Sequence, residues 1–382
     1  EIYTLSLHDA LPICVSIRRG ERMNEKNYKI LILFGGVSSE HDISCISAAS
    51  VMKNIDIEKY DVTAIGITKD GKWMLTEALP EELESGEWSG IRTNKDAFVS
   101  PDRRDKGIII KEIDGTYTCR HIDIVFPVLH GKNGEDGTMQ GFLELAGIPY
   151  VGCDMFASAC AMDKSVTKLL AGRTGVTQAD YYLLTRFGFA DDPLGEIARI
   201  EEHFDKRYPF FVKPCSAGSS VGVTKAADVD GLFESIKTAL SEDSKALVEE
   251  TIIGREIEVA VIGNRNVRTS LVGEVLAADE FYSFEAKYEN EESKTRILTD
   301  VSKEKTEEIR DYTAAIYKAV GCRGMARVDF FLTEDETVVF NELNTIPGFT
   351  GISMYPKLWE AEGISAAELI DDLLMLAVDE ME

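Results

Sequence analysis

Residues 28–34 make an apolar run of the kind a buried strand needs, stopped by Gly35-Gly36. Apolar positions over 43–55 then recur at helical spacing, which predicts a strand, turn, helix unit. A second strand over 62–67, a hairpin-like turn at Lys69-Asp70-Gly71-Lys72 and a further strand over 122–129, ending in His130-Gly131, complete an N-terminal α/β domain at residues 23–152. In such open sheets, ligands sit at the loops beyond the strand C-termini. Residues 153–252 read as a compact α+β unit: a helix over 162–171, the strand Pro209-Phe210-Phe211-Val212-Lys213-Pro214, a small-residue loop and an amphipathic helix over 229–240. Residues 253–382 begin with strands over 256–262 and 270–276 and a long polar stretch at 279–295. A helix over 306–320 follows, apolar at Ile309, Ile316, Ala319 and Val320 and closed by Gly321 in a C-cap role. Two short strands and an amphipathic helix over 366–378 end the chain, which has no internal repeat.

Those two strands, 327–332 and 338–344, carry the most informative pattern. Side chains alternate faces with a period of two, so Arg327 and Asp329 share one face of the first and Glu342 and Asn344 one face of the second. If the strands pair, the four groups converge, and two carboxylates with an amide oxygen make a hard, all-oxygen Mg²⁺ site with room for water and phosphate. An ordinary hairpin with a solvated polar face fits the same residues.

Composition narrows the partners. A formal charge of -26, from 41 Lys+Arg against 67 Asp+Glu, repels phosphate backbones and anionic lipid headgroups, so neither nucleic acid nor a membrane surface is expected. Seven cysteines without a C-x-x-C pair argue for free thiols in a reducing cytoplasm rather than for a disulfide framework or a zinc site. No apolar run approaches the roughly 18 residues that span a bilayer. Residues 1–22, ahead of Met23, read as a non-native leader.

Other candidates are weaker one by one. The loop Lys213-Pro214-Cys215-Ser216-Ala217-Gly218-Ser219-Ser220-Val221-Gly222 has the small residues and the lysine of a phosphate cradle, but it is not a Walker A loop and fits an ordinary turn. Lys164 is a second candidate phosphate cation, and Glu249 and Glu256, on either side of Gly254, could accept from ribose hydroxyls; solvated surface charges are the alternative for each. Glu40 precedes the first helix, either as a dipole partner worth about 0.3 to 1 kcal/mol or as an anchor for a substrate ammonium. Residues 281–288, Phe-Tyr-Ser-Phe-Glu-Ala-Lys-Tyr, head a segment long enough to be a lid or simply an exposed tip.

In order along the chain stand Gly35-Gly36-Val37-Ser38-Ser39-Glu40, His130-Gly131-Lys132-Asn133-Gly134-Glu135-Asp136-Gly137, Ala161-Met162-Asp163-Lys164, Val212-Lys213-Pro214, Gly218-Ser219-Ser220-Val221-Gly222, Glu285-Ala286-Lys287-Tyr288, Arg327-Val328-Asp329 and Asn341-Glu342-Leu343-Asn344-Thr345-Ile346-Pro347-Gly348. Together they resemble the D-alanine:D-alanine ligases of the ATP-grasp superfamily, from about Lys29 to the C-terminal helix. The resemblance implies an α/β and α+β three-domain ATP-grasp architecture with a doubly wound preATP-grasp domain first. It implies ATP held by Lys164, Lys213, Ser220, Glu249, Glu256, Phe281 and Lys287, and Mg²⁺, or Mn²⁺ in its place, held by Asp329, Glu342 and Asn344. The first D-alanine would lie near Glu40 and His130, with Ser353 and Met354 at the second. Arg327 and the Gly348 N–H resemble the oxyanion donors, and Glu40, Ser219 and Tyr288 the hydrogen-bonded set that links substrate domain, loop and lid.

The implied product is D-alanyl-D-alanine for peptidoglycan precursors, made in the cytoplasm by a homodimer. Met354 stands where many relatives carry leucine, and 123–153 also resembles the D-alanine:D-serine ligases of vancomycin resistance, so a D-serine acceptor stays open, as does a non-catalytic nucleotide-binding module. Tyr288 argues against the depsipeptide-forming relatives.

Overall fold

The computed structural model describes residues 28–276 and 294–379. Its N-terminal sheet has seven strands. Tyr28–Gly35 lies at parallel register between Tyr60–Ile67 and Ile124–Val128, and each of the three is buried over most of its length, as central parallel strands are. The helix His41–Asn54 covers one face, and Thr138–Ala146 closes the other with Met139, Leu143 and Ala146 against Leu31, Leu33 and Val125. The α/β class expected from the sequence is what the chain adopts here. Beyond Tyr60–Ile67 the sheet continues through four antiparallel strands, Trp73–Thr76, Lys95–Val99, Gly107–Lys111 and Tyr117–His121, none of which the apolar pattern predicted. They have four or five residues each, and every residue of the last is exposed, so no alternation marks it.

A four-stranded antiparallel sheet runs in the order Thr224–Ala226, Phe210–Pro214, Lys245–Glu250, Tyr181–Thr185. The helix Val229–Glu242 buries Leu232, Ile236 and Ala239 against it. The third sheet has six strands, in the order Lys294–Ile297, Arg268–Leu276, Gly254–Ile262, Met325–Thr333, Val338–Asn344, Thr177–Gln178. Its outer face packs on the helix Lys303–Val320, which starts three residues before the predicted helix because Ser302 caps it and ends at Gly321 in the left-handed region. The predicted helix over 162–171 is Lys164–Gly172; a helix that the pattern did not predict, Met155–Met162, precedes it, and Asp163 separates the two, its carboxylate accepting from the Ser165 and Val166 amides. That break makes Lys164 the first residue of its helix. The helix Ala366–Val378 folds back so that Leu369, Leu373 and Leu374 share a core with Ile30, Ile32 and Phe34. The C-terminal helix thereby packs on the N-terminal sheet.

Candidate active site

The two strands of the C-terminal hairpin pair, and their register sets the site. Arg327 lies opposite Asn344 and Asp329 opposite Glu342, so all four side chains meet on one face. Arg327 grips Asp329 with both prongs, Nε donating to Oδ1 and Nη2 to Oδ2, each at 2.7 Å. The Asn344 amide donates to Asp329 Oδ2 at 2.9 Å. Between Asp329 and Phe330 the register shifts, leaving Asn341 as the extra residue of a bulge, and its side-chain Oδ1 accepts from Lys213 at 3.3 Å. The next strand adds a group that the sequence reading passed over: Glu258, in register with Asp329, lies 3.2 Å from Arg327 Nε. It repeats Glu256 two residues on, a period-two signal that was available.

A cavity of about 440 Å³ lies at the seam of the second and third sheets, within the range of small-molecule sites. Lys164, Lys213, Ser219, Ser220, Glu249 and Glu256 all border it. Glu249 sits in the wall between two ammonium groups, Lys213 at 2.6 Å and Lys168 at 2.7 Å, with Lys168 only 3% exposed. Burial alone would raise the Glu249 carboxyl, but the two cations outweigh it and bring its pKa down to about 2. Lys168 was not foreseen, although it stands one helical turn after Lys164 on the same face. Lys164 donates to the Ala217 carbonyl at 2.9 Å and lies 3.5 Å from Glu342, tying the glycine-serine loop to the hairpin. Ser219 and Ser220 both have positive φ, 47° and 59°, a strained pair of the kind that clusters at ligand sites.

A smaller cavity, about 100 Å³, adjoins the first and is bordered by Glu40, His130, Arg327, Gly348, Ser353 and Met354. The Ser219 hydroxyl donates to the Glu40 carboxylate, joining the first helix to the phosphate-type loop across 179 residues. Gly131 must be glycine here: its φ is +69°, and a Cβ would stand 2.4 Å from Glu40 Oε2. His130 is buried, and burial lowers its pKa, so the ring is neutral. Nδ1 faces the Ile346 carbonyl at 3.2 Å and so carries the proton, while Nε2 accepts from Ser47 at 3.1 Å. Ser47 in turn accepts from the Phe349 amide at 3.3 Å. Both ring nitrogens are thus taken up in fastening the 346–349 segment, while His130 still borders the cavity. A Cβ on Gly348 would fall 2.7 Å from Ser353 Oγ, which is itself bonded to Thr350 N at 3.1 Å and Oγ1 at 2.7 Å. Met354 packs under Gly273 as the first residue of the helix Met354–Ala361.

Glu135, unassigned in the sequence reading although its motif was noted, borders the same cavity and accepts from the Gly131 amide at 2.9 Å. Burial, then the neighbouring Glu40 and Glu342 carboxylates, push its pKa up to about 8, against the Gly131 bond and Lys164, which lower it. Phe281, Lys287 and Tyr288 lie outside the described residues.

The D-ala D-ala ligase N-terminus model matches residues 29–153, and the D-ala D-ala ligase C-terminus model residues 170–375. The chain belongs to the D-alanine–D-alanine ligase family. It is 47% identical over 361 residues to the D-alanine–D-alanine ligase of Acetivibrio thermocellus, covering 92% of this chain and 96% of that one. The ligase of Caldicellulosiruptor bescii is 50% identical over 352 residues, covering 92% and 95%. Among solved structures, the VanG D-Ala:D-Ser ligase of Enterococcus faecalis superposes at TM-score 0.82 with 37% identity, over 92% of this chain and 100% of that one. The D-alanine–D-alanine ligase of Coxiella burnetii does so at 0.80 with 33% identity, over 93% and 95%. The three-sheet architecture is accordingly the ATP-grasp one, and the chain is an ATP-dependent ligase of this family.

Asp329, Glu342 and Asn344 fit a divalent cation by donor chemistry, since all offer oxygen from one face of a rigid hairpin. Among the described residues, no three His, Cys, Asp or Glu side chains form a metal cluster by themselves, so remaining coordination would fall to water and nucleotide oxygens, as Mg²⁺ prefers.

Proposed function

We propose that this chain joins two D-alanines into D-alanyl-D-alanine at the expense of ATP, supplying peptidoglycan precursors, with the reaction placed at the junction of the two cavities. What carries this reading is the position of Arg327: it borders the substrate cavity together with Gly348 and Ser353, while its strand neighbours lead into the nucleotide seam. ATP would lie in the larger cavity, its phosphates near Lys164, Lys213 and Ser220 and its adenosine end near Glu249 and Glu256. A divalent cation held by Asp329, Glu342 and Asn344 would neutralise charge on those phosphates when bound.

Glu40 would anchor the ammonium of the first D-alanine. The carboxylate of that D-alanine attacks the γ-phosphorus, the bond to the β-phosphate oxygen breaks, and an acyl phosphate and ADP result. The second D-alanine, its carboxylate near Ser353, attacks the acyl carbon with its amine; Arg327 and the Gly348 amide face the oxyanion, and phosphate leaves as the amide forms. Neutral His130 holds Gly348 in place throughout. Such preorganised donors act most strongly where water is shut out, which also protects the acyl phosphate. We further assign the enzyme to the cytoplasm as a homodimer; among the described residues, no helix is long and apolar enough to cross a membrane.

The likeness to a D-Ala:D-Ser ligase, together with Met354 in the acceptor cavity, supports D-serine as a second reading for the acceptor. Purified protein with ATP and Mg²⁺ should release phosphate and dipeptide on adding D-alanine. Competition between D-alanine and D-serine decides the acceptor, since an apolar pocket rejects an added hydroxyl by only about 10²-fold. Phosphate release indifferent to D-amino acids would overturn the assignment.

A further inference from the structure

The Asp329 carboxylate already accepts three hydrogen bonds, and a guanidinium chelates both of its oxygens. Nε of Arg327 holds Oδ1, while Nη2 of Arg327 and the amide of Asn344 hold Oδ2. A divalent cation that takes Asp329 competes with a guanidinium for the same two oxygens and repels it, and a guanidinium left in this site without a carboxylate is strongly unfavourable. The neighbouring strand supplies the remedy. Glu258, Asp329 and Glu342 are consecutive register partners across three strands, and Oε2 of Glu258 already lies 3.2 Å from Nε of Arg327, close enough for an ion pair. Directly opposite Arg327 on that strand is Ala260, whose small side chain leaves the guanidinium free to lie toward Glu258.

We propose that Glu258 is a positioning residue that receives Arg327 when Asp329 turns to the cation, so that loading the cation and setting Arg327 for the oxyanion are two halves of one exchange. This rests on the reading of Asp329, Glu342 and Asn344 as the cation ligands, and it goes further by giving Glu258 a part and Arg327 two resting places. The exchange explains why a third carboxylate stands beside a set that needs only two. With it the buried guanidinium keeps a negative partner in both states. Without it, Arg327 competes with the cation for Asp329.

The test is Mn²⁺ binding to the whole protein with ADP at saturation, followed by the resonance signal of free Mn²⁺, with activity set aside. Glu258→Gln should bind Mn²⁺ about 10-fold more weakly, the size usual for groups that orient a metal ligand. Glu258→Asp, which keeps a carboxylate, should recover most of that loss. Arg327→Leu should bind Mn²⁺ more tightly than the unaltered protein, because Asp329 then has no competitor; this arm stands even if Glu258→Gln does not fold. Unchanged Mn²⁺ affinity in Glu258→Gln, or affinity in Arg327→Leu no tighter than in the unaltered protein, overturns the exchange. Asp329→Asn serves as the separate control: if it leaves Mn²⁺ affinity intact, the ligand assignment itself has failed, a result distinguishable from failure of the Glu258 role.

Discussion

The hairpin site and the Glu40–Ser219 junction are built in opposite ways. On the hairpin, Arg327, Asp329, Glu342 and Asn344 belong to adjacent strands of one sheet, and their meeting is decided by a turn and a register. Glu40 and Ser219 are 179 residues apart, on a helix start of one sheet and a loop of another, and meet only if both are packed correctly. The first arrangement is rigid because ladder hydrogen bonds fix it. The second is conditional, since it reports whether the N-terminal unit and the phosphate-type loop are closed on each other. The proposed reaction, which must shelter an acyl phosphate, would use both: fixed donors at the reacting carbon and a contact that forms when the site is shut.

The largest effect should come from the fixed side. Asp329→Asn keeps shape and register but removes the charge that Arg327 and the proposed cation both use. Dipeptide synthesis should fall by at least about 10²- to 10³-fold in kcat, the loss typical of removing one preorganised electrostatic element. The strand pairing should survive, so far-ultraviolet circular dichroism should be unchanged. A loss confined to KM would show instead that the hairpin binds substrate without acting on the transition state.

The same contrast explains what was legible in the sequence. Positions 327, 329, 342 and 344 could be read because strand periodicity is two and the strands are neighbours in the chain. The partner of Glu40 could not, since nothing local to Ser38-Ser39-Glu40 names a serine beyond residue 200, and only the family resemblance supplied it. Lys168 and Glu258 fell between these cases. Their spacing from Lys164 and Glu256 was visible, but whether a charge on an element is buried depends on what packs over it, here Glu249 for one and Arg327 for the other. The strand Tyr117–His121 escaped because it is an exposed edge strand with no alternation, the three before it because four or five residues are too short a run to carry a periodicity, and the helix break at Asp163 because a side chain that caps one helix can sit inside a continuous apolar pattern.

An intermediate effect tests the conditional side. Glu40→Gln, Ser219→Ala and the double variant form a cycle read in kcat/KM for D-alanine. A charge-assisted bond formed only in the closed arrangement should give a coupling of about 1 to 3 kcal/mol, with the double variant no worse than Glu40→Gln alone. Additive losses would mean that the two side chains act separately, and the junction would lose its standing as a closure contact.

The smallest effect sharpens the comparison by placing Glu135. This carboxyl lies beside Glu40 on the substrate side, and in the folded protein its pKa is pushed from the ordinary 4.5 to about 8, chiefly by burial and then by Glu40. Between those values the folded chain keeps a proton that the unfolded chain has released, so stability must fall as pH rises through the window and level off above it. Glutamine has no proton to lose. Glu135→Gln should therefore gain on the unaltered protein from pH 5 to pH 8, by about 1 to 3 kcal/mol once the full 1.36 kcal/mol per unit is discounted for water reaching this half-buried group. Urea unfolding of the ligand-free protein at several pH values measures the gap. A difference that does not change with pH would show that Glu135 is ionised beside Glu40, and that this side of the junction holds two charges rather than one charge and a proton.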